Sequence, residues 1–288
     1  MLYDLIQHLQ VVFKPATFFR ETLTVQNLRT AHAYDRNKYH PPEVSGKIAS
    51  AITEPFDRQK NSEEPHIIEI GTGTGRIGMP LIARGFRFTG IDNDPDMMTV
   101  FRAKYGGISR KVSLFEADAQ DLPFDDHSFD AALAVHVWDL IPNLEKALSE
   151  ALRVVKPGGF LFEGWEAPTS ESEELLLRDL WIDALVRRGM SDVRVGQRVA
   201  LEQSAQFLHE RGLQTQEAIV ATWDVLQSPT DVIEALQDGV YSFAKDIPID
   251  QRYAAARDVR AFLSTHYTDL EAPIRVPWSF RLRTTRLP

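Results

Sequence analysis

A glycine-rich turn directly after a short apolar run constrains this chain more than any other feature of its sequence. The run Ile67-Ile68-Glu69-Ile70 passes into Gly71-Thr72-Gly73-Thr74-Gly75-Arg76-Ile77-Gly78. Glycine is needed where a backbone turns tightly and approaches a ligand closely, and the N-terminus of a following helix presents unpaired N–H groups. The sequence therefore predicts a buried strand, a turn and a helix that together bind a nucleotide-like ligand.

The surrounding pattern predicts an α/β fold. Short apolar runs alternate with amphipathic stretches from residue 66 to about residue 166, which is typical of a parallel sheet covered by helices on both faces. Asp94 and Pro95 predict the start of a helix, and Pro157-Gly158-Gly159 predicts a turn before the last of these strands. The predicted strands are His66–Ile70, Phe86–Ile91, Val112–Glu116, Phe129–Val135 and Phe160–Glu163.

Helical signals dominate the rest of the chain. Capping boxes at Ser170–Glu173 and Ser228–Asp231 predict two helix starts, and residues 213–223 between them read as a strand. Every second residue from Val276 to Leu282 is apolar, so a final strand is predicted there. The basic residues of this tail are expected on its solvated side; they are Arg281, Arg283 and Arg286.

These signals predict a core with helical additions. The expected division is an N-terminal helical cap segment (1–45), a Rossmann-like core (46–167), a helical insertion (168–198), a continuation of the core (199–224), a helical cap (225–272) and a last core strand (273–288). Ligands of open α/β sheets bind at the carboxyl ends of the strands. We expect the helical segments to roof that edge and to enclose a small, partly apolar substrate.

Composition narrows the class of partner. The 32 Lys and Arg residues are outnumbered by 41 Asp and Glu, and the net charge of -9 argues against a nucleic-acid surface. The chain has no cysteine, so it has no disulfide, thiolate nucleophile or cysteine-ligated metal. We find no metal-ligand pattern, secretory signal or spanning segment, and we expect a cytoplasmic protein without a membrane partner. Its oligomeric state is left open.

The glycine turn alone fits two kinds of cofactor. Residues 73–78 also satisfy the dinucleotide fingerprint, and Asp92 lies near the position expected for a ribose-binding carboxylate. An NAD(P)-dependent oxidoreductase therefore remains an alternative at this point.

Three further features favour a different family when they are taken in order. Glu69 precedes Gly71 by two residues, Asp118-Ala119 follows the third predicted strand, and Leu152-Arg153-Val154-Val155-Lys156-Pro157-Gly158-Gly159 precedes the fifth. Over residues 30 to 166 the chain resembles the class I S-adenosylmethionine-dependent methyltransferases, specifically the small-molecule family that includes the ubiquinone and menaquinone biosynthesis C-methyltransferases. That resemblance implies a seven-stranded, doubly wound, mostly parallel sheet with an antiparallel last strand.

The resemblance also implies roles for individual residues. Gly71, Gly73 and Gly75, with Thr72 between them, would line the methionine part of S-adenosylmethionine, and Glu69 would fix that loop or the cofactor's amino group. Asp92 would accept from both ribose hydroxyls, as a carboxylate can. The adenine would be flanked by Asn93 and met by Asp118 and Ala119.

The same resemblance points to the methyl-transfer site. His136 follows the fourth predicted strand, where it would face the reacting methyl group and help as a general base. Tyr34 belongs to a tyrosine-bearing N-terminal segment that would cover the cofactor. The implied activity is methyl transfer to a small-molecule acceptor, and a non-catalytic protein that binds S-adenosylmethionine and regulates a partner remains a second alternative.

Overall fold

Seven strands of the described chain form one sheet: β1 (His66–Ile70), β2 (Arg87–Asp92), β3 (Val112–Glu116), β4 (Phe129–Val135), β5 (Val155–Pro168), β6 (Thr215–Gln227) and β7 (Ile274–Arg286). The structure is a computed structural model, and it describes residues 31, 32, 35, 40–57, 64–107, 111–169, 172–190, 196–241, 244, 247–265 and 268–288. The order across the sheet is β3-β2-β1-β4-β5-β7-β6.

The direction of the strands confirms the predicted fold class. Strands β1 to β5 pair in parallel, and β7 lies antiparallel between β5 and β6. The sheet order reverses beside β1, since the chain moves outward through β2 and β3 and then returns to β4 on the other side of β1. This reversal opens a crevice at the carboxyl ends of β1 and β4, which is where such sheets bind ligands.

The fifth strand differs most from its predicted bounds. It begins at Val155, so the Pro157-Gly158-Gly159 turn lies within its span as an irregularity. There the partner of β4 jumps from Val155 to Phe160 while β4 advances from Phe129 to Ala131. The strand also continues beyond Glu163 to Pro168 because β7 pairs with it along that whole stretch.

The α-helices whose bounds the structure gives are α1 (Pro42–Asp57), α2 (Gly78–Ala83), α3 (Pro95–Tyr105), α4 (Leu144–Val154), α5 (Glu173–Arg187), α6 (Gly196–Glu210), α7 (Pro229–Gln237) and α8 (Ile249–Leu263). Asp94 caps α3 as predicted, and Ser228 with Asp231 forms the predicted capping box of α7. Helix α5 is instead capped by Ser172, whose side chain accepts from the Leu175 N–H. None of the described helices is long and apolar enough to cross a bilayer.

Apolar residues of the sheet are covered on both faces. Helices α1, α2 and α3 pack on one face, where Phe88, Phe162 and Phe280 are fully buried. Helices α4 and α6 cover the other face, around Leu161 and Phe129. Because both faces are buried, the inner strands are nearly continuous apolar runs, as the sequence showed for β1 and β4.

Helices α5, α7 and α8 form a third apolar cluster around the buried Trp181. Helix α5 follows the carboxyl end of β5, and α7 follows that of β6. The antiparallel strand β7 begins after α8, so the cluster lies at the carboxyl edge of β5 and β6.

The tail differs from the prediction at Arg283. This side chain is buried and pairs with Glu163 at 3.4 Å, so it does not lie on the solvated side of β7.

Candidate functional site

The glycine loop after β1 adopts a conformation that favours glycine. Gly71, Gly73 and Gly75 have φ angles of +69°, +53° and +79°, in the left-handed region. A Cβ on Gly75 would lie 2.5 Å from the Phe101 ring, so this glycine is also needed for packing. A Cβ on Gly73 would meet nothing within 4 Å, so at this residue the backbone faces open space.

Glu69 lies under the loop and is tied to it. It is only 2% exposed, and the Thr72 hydroxyl donates to its Oε2 at 2.7 Å. Burial raises the pKa of Glu69 to about 8, although the hydrogen bond from Thr72 and the charge of Arg76 oppose this. Glu69 and Thr72 therefore support the loop from inside the protein.

Asp92, the last residue of β2, holds the loop from the side. Its Oδ2 accepts from the Gly73 N–H at 2.7 Å, and its Oδ1 accepts from the Asp94 N–H at 2.9 Å. Burial raises the pKa of Asp92 above its ordinary value, against the effect of these two bonds. Each carboxylate oxygen keeps further acceptor capacity, which suits a diol. Asn93, the next residue, is exposed.

Asp118 and Ala119 follow β3 beside Asp92. The Ala117 N–H donates to the Asp92 carbonyl at 3.1 Å, which fixes the distance between the two strand ends. Asp118 is exposed, and its Oδ1 accepts from the backbone N–H of Gln120 at 2.8 Å, which lowers the pKa of Asp118. Ala119 is half-buried against the apolar cluster on the α4 and α6 face.

His136 directly follows β4 and has a φ of +53°, a conformation uncommon for a side chain of this size. Its backbone N–H donates to the Gly164 carbonyl at 3.2 Å. The Glu166 N–H donates to His136 Nε2 at 3.0 Å, so Nε2 is an acceptor and Nδ1 carries the proton of the neutral ring. The side chain is 19% exposed.

A buried polar cluster beside His136 was not predicted from the sequence. It joins His40, Arg76 and Glu166: His40 Nε2 lies 2.6 Å from Glu166 Oε1 and 2.7 Å from Arg76 Nη1, and Arg76 pairs with Glu166. Burial alone would raise the pKa of Glu166, but the charge of Arg76 and the neighbouring histidines hold it well below its ordinary value. Glu166 is therefore a buried, ionised carboxylate at the carboxyl end of β5.

Asp35, which precedes α1, contacts the glycine loop and α3. Asp35 Oδ1 accepts from the Thr74 hydroxyl and from Lys104 Nζ, both at 2.6 Å. Lys104 lowers the pKa of Asp35 although burial acts in the opposite direction. Tyr34, the residue expected to cover the cofactor, lies outside the described residues.

The described geometry brings most of the predicted residues to one edge of the sheet. Those from Glu69 to Gly75 share a hydrogen-bonded unit with Asp92, and His136 and Asp118 follow the neighbouring strands. A loop with an open glycine backbone beside a carboxylate suits an extended nucleoside with a polar tail. No group of three or more residues arranged to hold a metal ion occurs in the described part of the chain.

Comparison with known protein families matches the central part of the chain. Residues 68–162 match the sequence profile of a methyltransferase domain. A sterol 4-C-methyltransferase from Caenorhabditis elegans is 37% identical over 126 residues, covering 41% of this chain and 38% of that protein. A fatty-acid O-methyltransferase from Mycolicibacterium smegmatis is 33% identical over 145 residues, covering 46% and 52% respectively.

Two further similarities extend this comparison. A ubiquinone/menaquinone biosynthesis C-methyltransferase from Bartonella bacilliformis is 36% identical over 124 residues, covering 40% of this chain and 46% of that protein. The chain thus spans about half, or less, of the length of these curated relatives. The crystal structure of the YcgJ protein from Bacillus subtilis covers 83% of this chain and 97% of its own, with a TM-score of 0.52 and 18% identity, which shows a shared fold.

Proposed function

We propose that this chain transfers a methyl group from S-adenosylmethionine to a small-molecule acceptor, because residues 68–162 match a methyltransferase domain and similar proteins are methyltransferases, in line with the resemblance of the sequence to the class I S-adenosylmethionine-dependent methyltransferases. The observation that carries the proposal is the hydrogen bond from the Gly73 N–H to Asp92. This bond joins the glycine backbone that faces open space to the carboxylate expected to bind the ribose, at the point where the sheet order reverses.

The cofactor contacts we propose follow this edge. The loop from Gly71 through Thr72 and Gly73 to Gly75 holds the methionine part, with Glu69 fixing the loop from beneath. Asp92 accepts from the ribose hydroxyls with the acceptor capacity that its two backbone bonds leave. Asn93 flanks the adenine, Asp118 and Ala119 contact it, and Tyr34 of the N-terminal segment covers the cofactor.

When bound, S-adenosylmethionine would supply a methyl group that its sulfonium activates for in-line attack by an acceptor nucleophile, with S-adenosylhomocysteine as the leaving group. The protein's main task is then to align the acceptor and to exclude water. Alignment of this kind contributes roughly 7 to 11 kcal/mol to lowering a barrier. The helical segments at the carboxyl edge of β5 and β6 are our candidates for the roof of the site.

His136 contacts the acceptor in this proposal. Because its Nε2 already accepts from the Glu166 N–H, the ring must release that bond before Nε2 can take a proton. We therefore give His136 an orienting role first and general-base chemistry second. The buried charge of Glu166 would stabilise the imidazolium if a proton is taken, since the two side chains lie 3.7 Å apart.

The acceptor is proposed to be a small molecule. The names of the relatives point to a sterol, a fatty acid and a quinone precursor as substrates of those proteins. The excess of acidic residues disfavours nucleic acid as an acceptor of this chain. We further propose that the chain acts in the cytoplasm, and that its core and helical additions divide at the residues predicted from the sequence.

Calorimetric titration tests the cofactor site. We expect S-adenosylhomocysteine to bind and NADH not to bind. Asp92→Asn should weaken S-adenosylhomocysteine binding about 10- to 150-fold, because hydrogen bonds to a charged group contribute about 1.5 to 3 kcal/mol.

The matched control is Asp130→Asn. Asp130 also binds a backbone N–H, that of His66 at 2.8 Å, but it lies at the start of β4 on the opposite edge. Its substitution should leave the affinity unchanged. NADH binding without a response to S-adenosylhomocysteine would favour the oxidoreductase alternative. Cofactor binding without methyl transfer to any acceptor would favour the non-catalytic one.

A further inference from the structure

Trp278, near the start of β7, carries a buried polar atom without a partner. Its indole Nε1 is inaccessible to solvent and makes no hydrogen bond. Trp138 and Trp181, which are buried as whole residues, each reach an acceptor: Trp138 Nε1 donates to Glu163 at 2.9 Å, and Trp181 Nε1 donates to the Arg252 carbonyl at 3.4 Å. A buried donor left unpaired is costly, so Trp278 is the exception that requires an explanation.

The position of Trp278 links it to the candidate site. In the sheet, Trp278 pairs with Trp223 of β6 and with Pro168 of β5. On β5, Pro168 lies two residues closer to the carboxyl edge than Glu166, which pairs with Phe280. Since alternate residues of a strand share a face, Trp278 lies on the same face of the sheet as Glu166.

Direct contacts connect the tryptophan pair to the buried cluster. The rings of Trp223 and Trp278 stack with centroids 6.3 Å apart and planes 29° apart. The His40 ring meets Trp223 edge-on at 5.3 Å, and His40 Nε2 lies 2.6 Å from Glu166. The Glu166 backbone in turn binds His136. An aromatic wall of two indoles thus continues from the proposed methyl-transfer site along the sheet edge.

We infer that Trp223 and Trp278 form one wall of the acceptor site, and that the acceptor is a flat, largely apolar molecule with an oxygen that accepts the Trp278 indole N–H once the ring turns to uncover Nε1. Both rings remain partly exposed, so ring surface is open to stacking by a planar ligand. The unpaired N–H supplies a polar contact on the apolar indole wall, which together with His136 fixes the orientation of the acceptor. This inference rests on the proposed methyl-transfer function, because that function places an acceptor at this edge.

Two probes of similar shape test the inference: 2-acetylnaphthalene, which has a carbonyl oxygen, and 2-ethylnaphthalene, which has none. Binding is measured by calorimetry on the full chain, with and without S-adenosylhomocysteine. The wild-type protein should bind the ketone about two- to tenfold more tightly than the hydrocarbon, the range expected for one neutral hydrogen bond. Trp278→Phe keeps an aromatic ring without the N–H and should make the two affinities equal.

Trp165→Phe is the matched control, since Trp165 lies on the other face of the sheet with the Arg283 guanidinium 5.4 Å from its ring centre. It should preserve the wild-type preference. Nuclear magnetic resonance of the wild-type indole N–H groups needs no variant: one resonance should move with the ketone and not with the hydrocarbon. Failure of both probes to bind, an unchanged preference in Trp278→Phe, or no moving indole resonance would overturn the inference. Absence of S-adenosylhomocysteine binding would instead overturn the proposed function.

Discussion

Replacing Glu69 by glutamine should remove a pH dependence of folding. Burial raises the pKa of Glu69 from its ordinary 4.5 to about 8, so between these values the folded protein holds a proton that the unfolded chain releases. The free energy of unfolding therefore falls as pH rises through this range, by about 1.4 kcal/mol per unit. Above pH 8 the contribution is fully lost.

The clearest window for this measurement lies above pH 6.5. Burial lowers the pKa of His66 from its ordinary 6.5 to about 4. The contribution of His66 to the free energy of unfolding therefore has the opposite sign of pH dependence to that of Glu69, since it is lost as pH falls, and it changes only below pH 6.5. Between pH 6.5 and about 8, a span of about 1.5 pH units, titration of the Glu69 carboxyl lowers the free energy of unfolding by ~2 kcal/mol. The glutamine side chain of the Glu69→Gln variant does not titrate, and its amide oxygen can still accept from Thr72.

Urea denaturation followed by circular dichroism from pH 6.5 to 9 would check this without cofactor. The wild-type protein should lose about 2 kcal/mol relative to Glu69→Gln across that window. Glu145→Gln, which changes an exposed carboxylate in the first turn of α4, should follow the wild-type curve. Parallel curves for the wild-type protein and Glu69→Gln would refute the reasoning.

Two other substitutions address the loop and the transfer site. Gly75→Ala should lower the free energy of unfolding by about 2 to 4 kcal/mol, because alanine resists a φ of +79° and its Cβ would contact the Phe101 ring. Urea midpoints measure this, and a loss below about 0.5 kcal/mol contradicts the packing argument. His136→Asn tolerates the left-handed backbone and should reduce turnover on the identified acceptor by more than it reduces S-adenosylhomocysteine affinity. Unchanged turnover would remove His136 from the mechanism.

Local patterns in the sequence were sufficient to predict the strands of the core. The bounds of β1, β3 and β4 agree with the prediction, and those of β2 differ by one residue at each end. Apolar runs bounded by polar residues locate buried parallel strands because both faces of such a strand are covered. The glycine loop was recognisable for a similar reason, since left-handed backbone restricts the choice of residue.

The buried polar cluster could not be predicted in this way. His40 and Glu166 are 126 residues apart, and nothing local shows that they meet. Arg283 was assigned to the solvated side of β7 because a basic residue in a strand is usually exposed, but its partner Glu163 comes from β5. An acidic residue in a strand otherwise composed of apolar residues, as at Glu163 and Glu166, is the signal that would have indicated buried partners.

The most direct test of the account is a crystal structure of the full chain with S-adenosylhomocysteine. The ligand should lie along Gly71 to Gly75 with its ribose hydroxyls on Asp92. Its sulfur should point to the edge that carries His136 and Glu166. The chain offers a clear competing location, a groove of about 650 Å³ between the start of α4 and α6, lined by Leu144 and Phe207. Density for the ligand in that groove, with the glycine loop empty, would contradict the assignment of the cofactor site.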